Sequence, residues 1–156
     1  MTRSWSRMFA ATAVLGVLGC GLPRWPVEGP IIAPFGVRWQ GSGPTINRGV
    51  DIVVPTGTPV YAMSSGEVAF ASTMTDFGLV VWVAHGDAIL TVYAHLSEIL
   101  VVEGQTVTRD ESLGLSGASG NATGPHLHYE ILVDGRRKNP MRLRLPSGRL
   151  LTGAAR

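Results

Sequence analysis

The order of apolar and polar positions divides the chain into three parts. Met8–Leu18 is an apolar run in which polar residues do not recur at helical spacing. Gly21–Pro30 contains three prolines and no periodicity, which predicts a short tether. From Ile31 onward, runs rich in β-branched residues alternate with Gly, Pro and Asp, at 50–54, 59–63, 66–72, 79–85, 88–95 and 130–133. No segment of adequate length has helical periodicity, and Leu96–Val101 is the best candidate for a single helical turn. Gly86-Asp87 and Asp134-Gly135 each join two strand-like runs, which is a hairpin signal. The expected fold is all-β, a compact antiparallel sheet. After Pro140 the pattern lapses into a tail, Met141–Arg156, carrying four arginines. It reads as a frayed end, with weak attraction to anionic lipid or polymer as the sharper alternative.

Composition narrows the class. The 156 residues are 45% hydrophobic and 15% charged, with 20 Gly and 10 Pro, which suits one loop-rich globular domain and excludes a disordered, collagen-like or coiled-coil chain. The formal charge of +2 is accounted for by Arg3 and Arg7, so the rest of the chain is balanced and carries no nucleic-acid footprint.

Those two arginines, the apolar run and a small Gly19 before Cys20 have the layout of a bacterial export signal. The run is too short to span a bilayer, which takes roughly 20 residues. Val17-Leu18-Gly19-Cys20 resembles the lipobox of bacterial lipoproteins, which implies cleavage before Cys20 and a lipid on its thiol. Cys20 is the only cysteine, so it has no intramolecular disulfide partner, and lipidation explains its presence in an exported chain. Gly21, rather than Asp, implies an outer-membrane destination in a diderm host. The expected layout is a signal segment at 1–19, lipidated Cys20 and tether at 20–30, a β domain at 31–141 and a basic tail at 142–156.

Four histidines and one acid are the chemical candidates. His126 and His128 are two apart at the entry to a strand and so share a face, a geometry found in metal sites and on solvated strand faces alike. His95 closes the strand Thr91–His95, with Tyr93 on the same face by the two-residue period. His85 sits at a hairpin tip and reads as an exposed turn residue. Asp51 is an acid flanked by apolar strand residues, and it needs a cation, a donor or a turn backbone to justify it.

Taken in order, Asn47-Arg-Gly-Val-Asp51, Pro55-Thr-Gly-Thr-Pro-Val-Tyr-Ala62, Ser65-Gly-Glu-Val68, Tyr93-Ala-His95-Leu-Ser97, Val102-Glu-Gly-Gln105 and Ser116–Ile131, which contains His126-Leu-His128-Tyr-Glu130, resemble the lysostaphin-type, LytM-like zinc endopeptidases. The resemblance runs from about Pro34 to Pro140. It implies a compact β-sheet core with a groove, a single zinc ion, and the peptide cross-links of bacterial peptidoglycan as target. It also implies that Asn47, Asp51 and His128 stand at the zinc-ligand positions, and that His95 and His126 stand where histidines polarise the metal-bound water and stabilise the oxyanion.

The departure is Asn47, where the family has His. An amide oxygen is a weak, neutral zinc ligand beside an imidazole. Asn-x-Gly-x-Asp is similar to the degenerate LytM-like lipoproteins that activate cell-wall amidases without cutting peptidoglycan. Two functions therefore stay open: a metal-poor regulator or binder of cell-wall hydrolysis, and a working zinc endopeptidase, favoured by the retention of His95, His126 and His128. A biotinyl or lipoyl carrier, suggested by the Gly-rich hairpins, fails because Lys138 is the only lysine and lies near the end of the chain. Trp39, Tyr61, Trp82, Tyr93 and Tyr129 are candidates for lining a groove, with Trp82 and Tyr129 better suited to a core. Thr73–Phe77 is a candidate lid.

Overall fold

The computed structural model describes residues 23–41, 43–86 and 88–143. The expected signal segment, Cys20, Asp87 and the tail from 144 lie outside them. Among the described residues the chain forms β1 (Ile31–Ala33), β2 (Gly36–Gln40), β3 (Gly43–Asn47), β4 (Val50–Ile52), β5 (Pro59–Tyr61), β6 (Gly66–Met74), β7 (Gly78–Ala84), β8 (Ile89–Ile99), β9 (Thr106–Val107), β10 (Ser112–Ser116), β11 (Leu127–Val133), β12 (Arg136–Lys138) and one 3-10 turn at Pro140–Arg142. The fold is all-β and antiparallel, as the alternation predicts.

The main sheet runs β1-β4-β11-β8-β7-β6-β9, with β12 beside β11 and the β5–β10 pair joined to β8; β2 and β3 form a separate two-stranded ribbon. Alternation divides the residues of the central strands. Val50 and Ile52 of β4, Tyr93 of β8, and Leu127, Tyr129 and Ile131 of β11 are all fully buried in the main core. Their neighbours Asp51, His128 and Glu130 point to the opposite face. Burial of each large core side chain stabilises the fold by roughly 1.5–3 kcal/mol, enough to pin the register and with it the polar face. Asp134 and Gly135 both have positive φ, which gives β11 and β12 the tight hairpin that their sequence predicts.

Two expectations are corrected. Leu96–Val101 is not helical: β8 runs on to Ile99, because Leu96, Glu98 and Ile99 pair with Ser116, Leu115 and Gly114 of β10. Within 20–30, the residues from Arg24 onward are docked rather than tethering. The Arg24 N–H donates to the Met63 carbonyl at 2.8 Å, Tyr61 N–H to Pro26 at 3.0 Å and Val53 N–H to Pro30 at 2.9 Å. Trp25 packs edge-on to Tyr129 and Val27 joins the core. The prolines remove periodicity, but the two apolar side chains among them still gain by burial.

The loop at 76–78 is a fixed wall and not a lid. Phe77 accepts from His95 N–H, Asp76 from Asn121 N–H, and Ser119 Oγ accepts from Leu79 N–H while donating to the Leu96 carbonyl. Gly78 and Gly120, with φ of 63° and 69°, cross so closely that a Cβ on Gly120 would lie 2.3 Å from the Gly78 nitrogen. Only glycine fits either position.

Candidate functional site

On the polar face of β4, β11 and β8 lies a groove of about 390 Å³, walled by Arg38, Ile46, Asn47 and Arg48 on one side and by Asp76, Phe77, Asn121 and Thr123 on the other. Asp51, His95, His126, His128 and Glu130 also line it. Asp51, His95, His126 and His128, which the sequence singles out as ligand or catalytic candidates, thus converge, together with Asn47.

Register makes the central pair. Asp51 of β4 stands opposite His128 of β11, and His128 Nδ1–H donates to Asp51 Oδ1 at 2.6 Å. The other nitrogen, Nε2, donates to Glu130 Oε1 at 3.2 Å, and Glu130 Oε2 accepts from Arg137 Nε at 2.8 Å. Asp51 Oδ2 accepts from Arg38 Nη1 and from Asn47 Nδ2, both at 3.3 Å. The result is an alternating row, Arg38, Asp51, His128, Glu130 and Arg137, crossing the sheet. Burial alone would lower the His128 pKa, but hydrogen bonds and attraction from Asp51 and Glu130 overcome it and push it up to about 9. With both nitrogens donating, His128 is an imidazolium at neutral pH. Burial likewise raises the Asp51 carboxyl, but the His128 bond and the charges of His128, His126 and Arg38 outweigh it, leaving it below its ordinary value.

Asn47 is 3% exposed and fully committed. Its Oδ1 accepts Gly49 N–H at 3.1 Å, and its Nδ2 donates to the Ala33 carbonyl at 3.2 Å as well as to Asp51. This fixes the amide so that nitrogen, not oxygen, faces the carboxylate.

His95 reaches the groove by a bulge. Between the pairs Val81–Tyr93 and Leu79–Leu96, β8 has one residue more than β7, and His95 has φ 62°. This overturns the expectation that Tyr93 shares its face: Tyr93 is fully buried in the core, while His95 is turned out to the groove. The rings of His95 and His126 lie 4.7 Å apart between centroids, and those of His95 and His128 5.9 Å apart. Each Nδ1 donates to a carbonyl at 2.8 Å, Ser119 for His95 and Gly124 for His126. Burial, helped by the neighbouring imidazoles, lowers the His95 pKa, so that ring is neutral.

At the zinc-ligand positions that the resemblance implies, the groove offers two strong donors, Asp51 and His128. Asn47 has its oxygen spent on Gly49, and His128 Nδ1 carries a proton that a metal must first displace. Among the described residues no three His, Cys, Asp or Glu side chains are grouped to hold a metal ion. A catalytic zinc keeps three protein ligands, so the residues present do not fit one.

Arg38 and Glu130 escape sequence reasoning. Glu130 is an acid between apolar strand residues and carries the signal that singles out Asp51; Arg38 has no such signal, since an arginine in a strand is ordinarily solvated. His85 is corrected in the other direction. It is not a free turn residue: Nδ1–H donates to the Ser65 carbonyl at 3.1 Å, and Nε2 lies 2.7 Å from Thr91 Oγ1, which is 2.9 Å from Tyr93 Oη, which accepts Met63 N–H at 2.9 Å. Burial lowers its pKa, and the neutral ring completes this row. Trp39 is exposed, Tyr93 and Tyr129 are core, and none of the five aromatic candidates lines the groove.

Comparison with known proteins gives a consistent picture. The profile described as Peptidase family M23 matches residues 45–140. Peptidoglycan DD-endopeptidase ShyA of Vibrio cholerae is 45% identical over 100 residues, covering 64% of this chain and 23% of its own. A zinc-containing peptidase from Vibrio cholerae superposes with a TM-score of 0.75 at 34% identity, covering 80% of this chain and 40% of the other. A chain of the SpoIIQ–SpoIIIAH pore-forming complex does so with a TM-score of 0.66 at 26% identity, covering 77% and 90%. The chain spans about a quarter of the length of the first curated relatives it matches.

Proposed function

The chain belongs to peptidase family M23, and on that premise we propose that it is a peptidoglycan-directed binder or regulator of cell-wall hydrolysis that does not itself cut. The observation that carries this reading is the state of the Asp51 carboxylate. One oxygen is taken by the His128 imidazolium and the other by Arg38 and by the amide of Asn47, at the position where the family has an imidazole. Charge is thus balanced by protein groups. Relatives named as peptidoglycan DD-endopeptidases support peptidoglycan as the ligand. The neighbour in a pore-forming complex supports partner binding as a use of this fold, and a cell-wall amidase is the kind of partner that the Asn-x-Gly-x-Asp segment suggests. The protein is exported, cleaved before Cys20 and held by a lipid on that residue, facing the cell wall, with the domain extending from about Arg24 to Leu143.

The decisive experiment is metal content of the purified protein followed by incubation with sacculi. The expected protein is metal-poor, pellets with sacculi and releases no peptide. Release of peptidoglycan fragments that a chelator abolishes would establish the second reading, an active zinc endopeptidase, which the retention of His95 and His126 favours.

A further inference from the structure

The charges on the floor of the groove are spent on one another. Both oxygens of Asp51 are engaged, by His128 and by Arg38 with Asn47, and both oxygens of Glu130, by His128 and Arg137. The walls differ. Arg48 and Asp76 also line the groove, both are exposed, and neither side chain bonds or ion-pairs with another described residue. They stand on opposite sides: Arg48 in the turn between β3 and β4, Asp76 in the turn between β6 and β7, with β11 and β8 between them. Both backbones are held. Arg48 lies between Asn47 and Gly49, whose N–H donates to Asn47 Oδ1 at 3.1 Å and where a Cβ would collide with the Tyr129 carbonyl. The Asp76 carbonyl accepts from Asn121 N–H at 2.9 Å, beside the crossing of Gly78 and Gly120. A free cation and a free anion are thus mounted on two fixed walls of one groove.

We propose that Arg48 and Asp76 select a short peptide segment bearing a carboxylate toward one end and an ammonium toward the other, the carboxylate lying at Arg48 and the ammonium at Asp76. The inference rests on the reading of the groove as the peptidoglycan-binding site, and adds which charges the bound segment carries and what reads them. Width sets the length. β4 and β7 are three strand spacings apart, roughly 14 Å, which an extended tetrapeptide spans. Chemistry assigns the ends. A guanidinium matches a carboxylate through parallel N–H donors, and among the described acids lining the groove only Asp76 has oxygens free to accept from an ammonium. A ligand with carboxylates alone would set one against Asp76, and a ligand with ammonium groups alone would set one against Arg48, so like charge disfavours both.

The test titrates the full-length protein with stem tetrapeptide released from sacculi, in three forms: unmodified, with its amines acetylated, and with its carboxyls amidated. Exposed ion pairs are weak, so the parent is expected to bind each blocked form about three- to fivefold less tightly than the unmodified peptide. The variants assign the ends. Asp76→Asn should bind the unmodified and acetylated forms alike while still discriminating against the amidated one, and Arg48→Gln should do the reverse. Both side chains are exposed, and circular dichroism checks that the fold is intact. Equal affinity of the parent for all three forms overturns the proposal. So does discrimination that persists unchanged in Asp76→Asn and Arg48→Gln. Pelleting of the parent with sacculi judges the underlying reading separately: a parent that pellets but fails the peptide comparison loses only the charge assignment, whereas one that neither pellets nor binds any form of the peptide loses both.

Discussion

Replacing Asn47 by His tests the site most directly, because it supplies a third strong donor beside Asp51 and His128. Two opposing magnitudes can be worked out. The substitution removes an amide that makes three hydrogen bonds in a buried setting, each worth about 1 kcal/mol net, so Asn47→His is expected to be destabilised by roughly 1–3 kcal/mol without metal. Zinc would then have to expel the proton of His128, whose pKa of about 9 makes this cost about 3 kcal/mol at pH 7, on the order of a hundredfold in affinity. Zinc affinity of the variant should therefore rise about tenfold per pH unit from 7 to 9 and then level off. Competition with a chromophoric chelator across that range measures it, with the parent as control. A parent that binds zinc as tightly as the variant, or a variant whose affinity does not change with pH, would refute the pairing of Asp51 with a protonated His128.

Three further substitutions test individual contacts. Thr91→Val should lower unfolding free energy by about 2–3 kcal/mol in urea, since it strips a partner from both His85 Nε2 and Tyr93 Oη; a loss under about 0.5 kcal/mol would contradict that hydrogen-bonded row. Gly120→Ala should cost at least about 2 kcal/mol, from positive φ and a Cβ set against the Gly78 nitrogen, and should lower the melting temperature by several degrees; an unchanged melting curve would disprove the close crossing. Glu130→Ala leaves the His128 imidazolium and Arg137 short of a carboxylate that is 1% exposed, and should destabilise by about 3 kcal/mol, read by chemical denaturation at pH 7; an effect no larger than that of a surface substitution would refute the pairing.

Alternation and turn residues suffice to read the sheet, because one buried face with a period of two leaves little freedom of register. The same periodicity misplaces Tyr93 relative to His95, since a single inserted residue in β8 reverses the face and no local signal marks it. His85 is misread for a related reason: its position after a strand suggests exposure, whereas its partners Ser65 and Thr91 are distant in sequence or across the hairpin. Arg38 is invisible in the sequence because its meaning depends on a ribbon folding over Asp51, thirteen positions away. Docking of Trp25 and Val27 is hidden by the prolines around them. What escapes is tertiary throughout.

The crossing of Gly78 and Gly120 bears on how a ligand is met. Because that wall is bolted to β8 through His95, Leu96 and Ser119, it has no separate open and closed positions to choose between. A molecule entering the groove meets this wall already formed, and no binding energy is diverted to ordering it. Selection is then by outline and charge at first contact, with arrival governed by encounter and the lifetime of the complex by the fit.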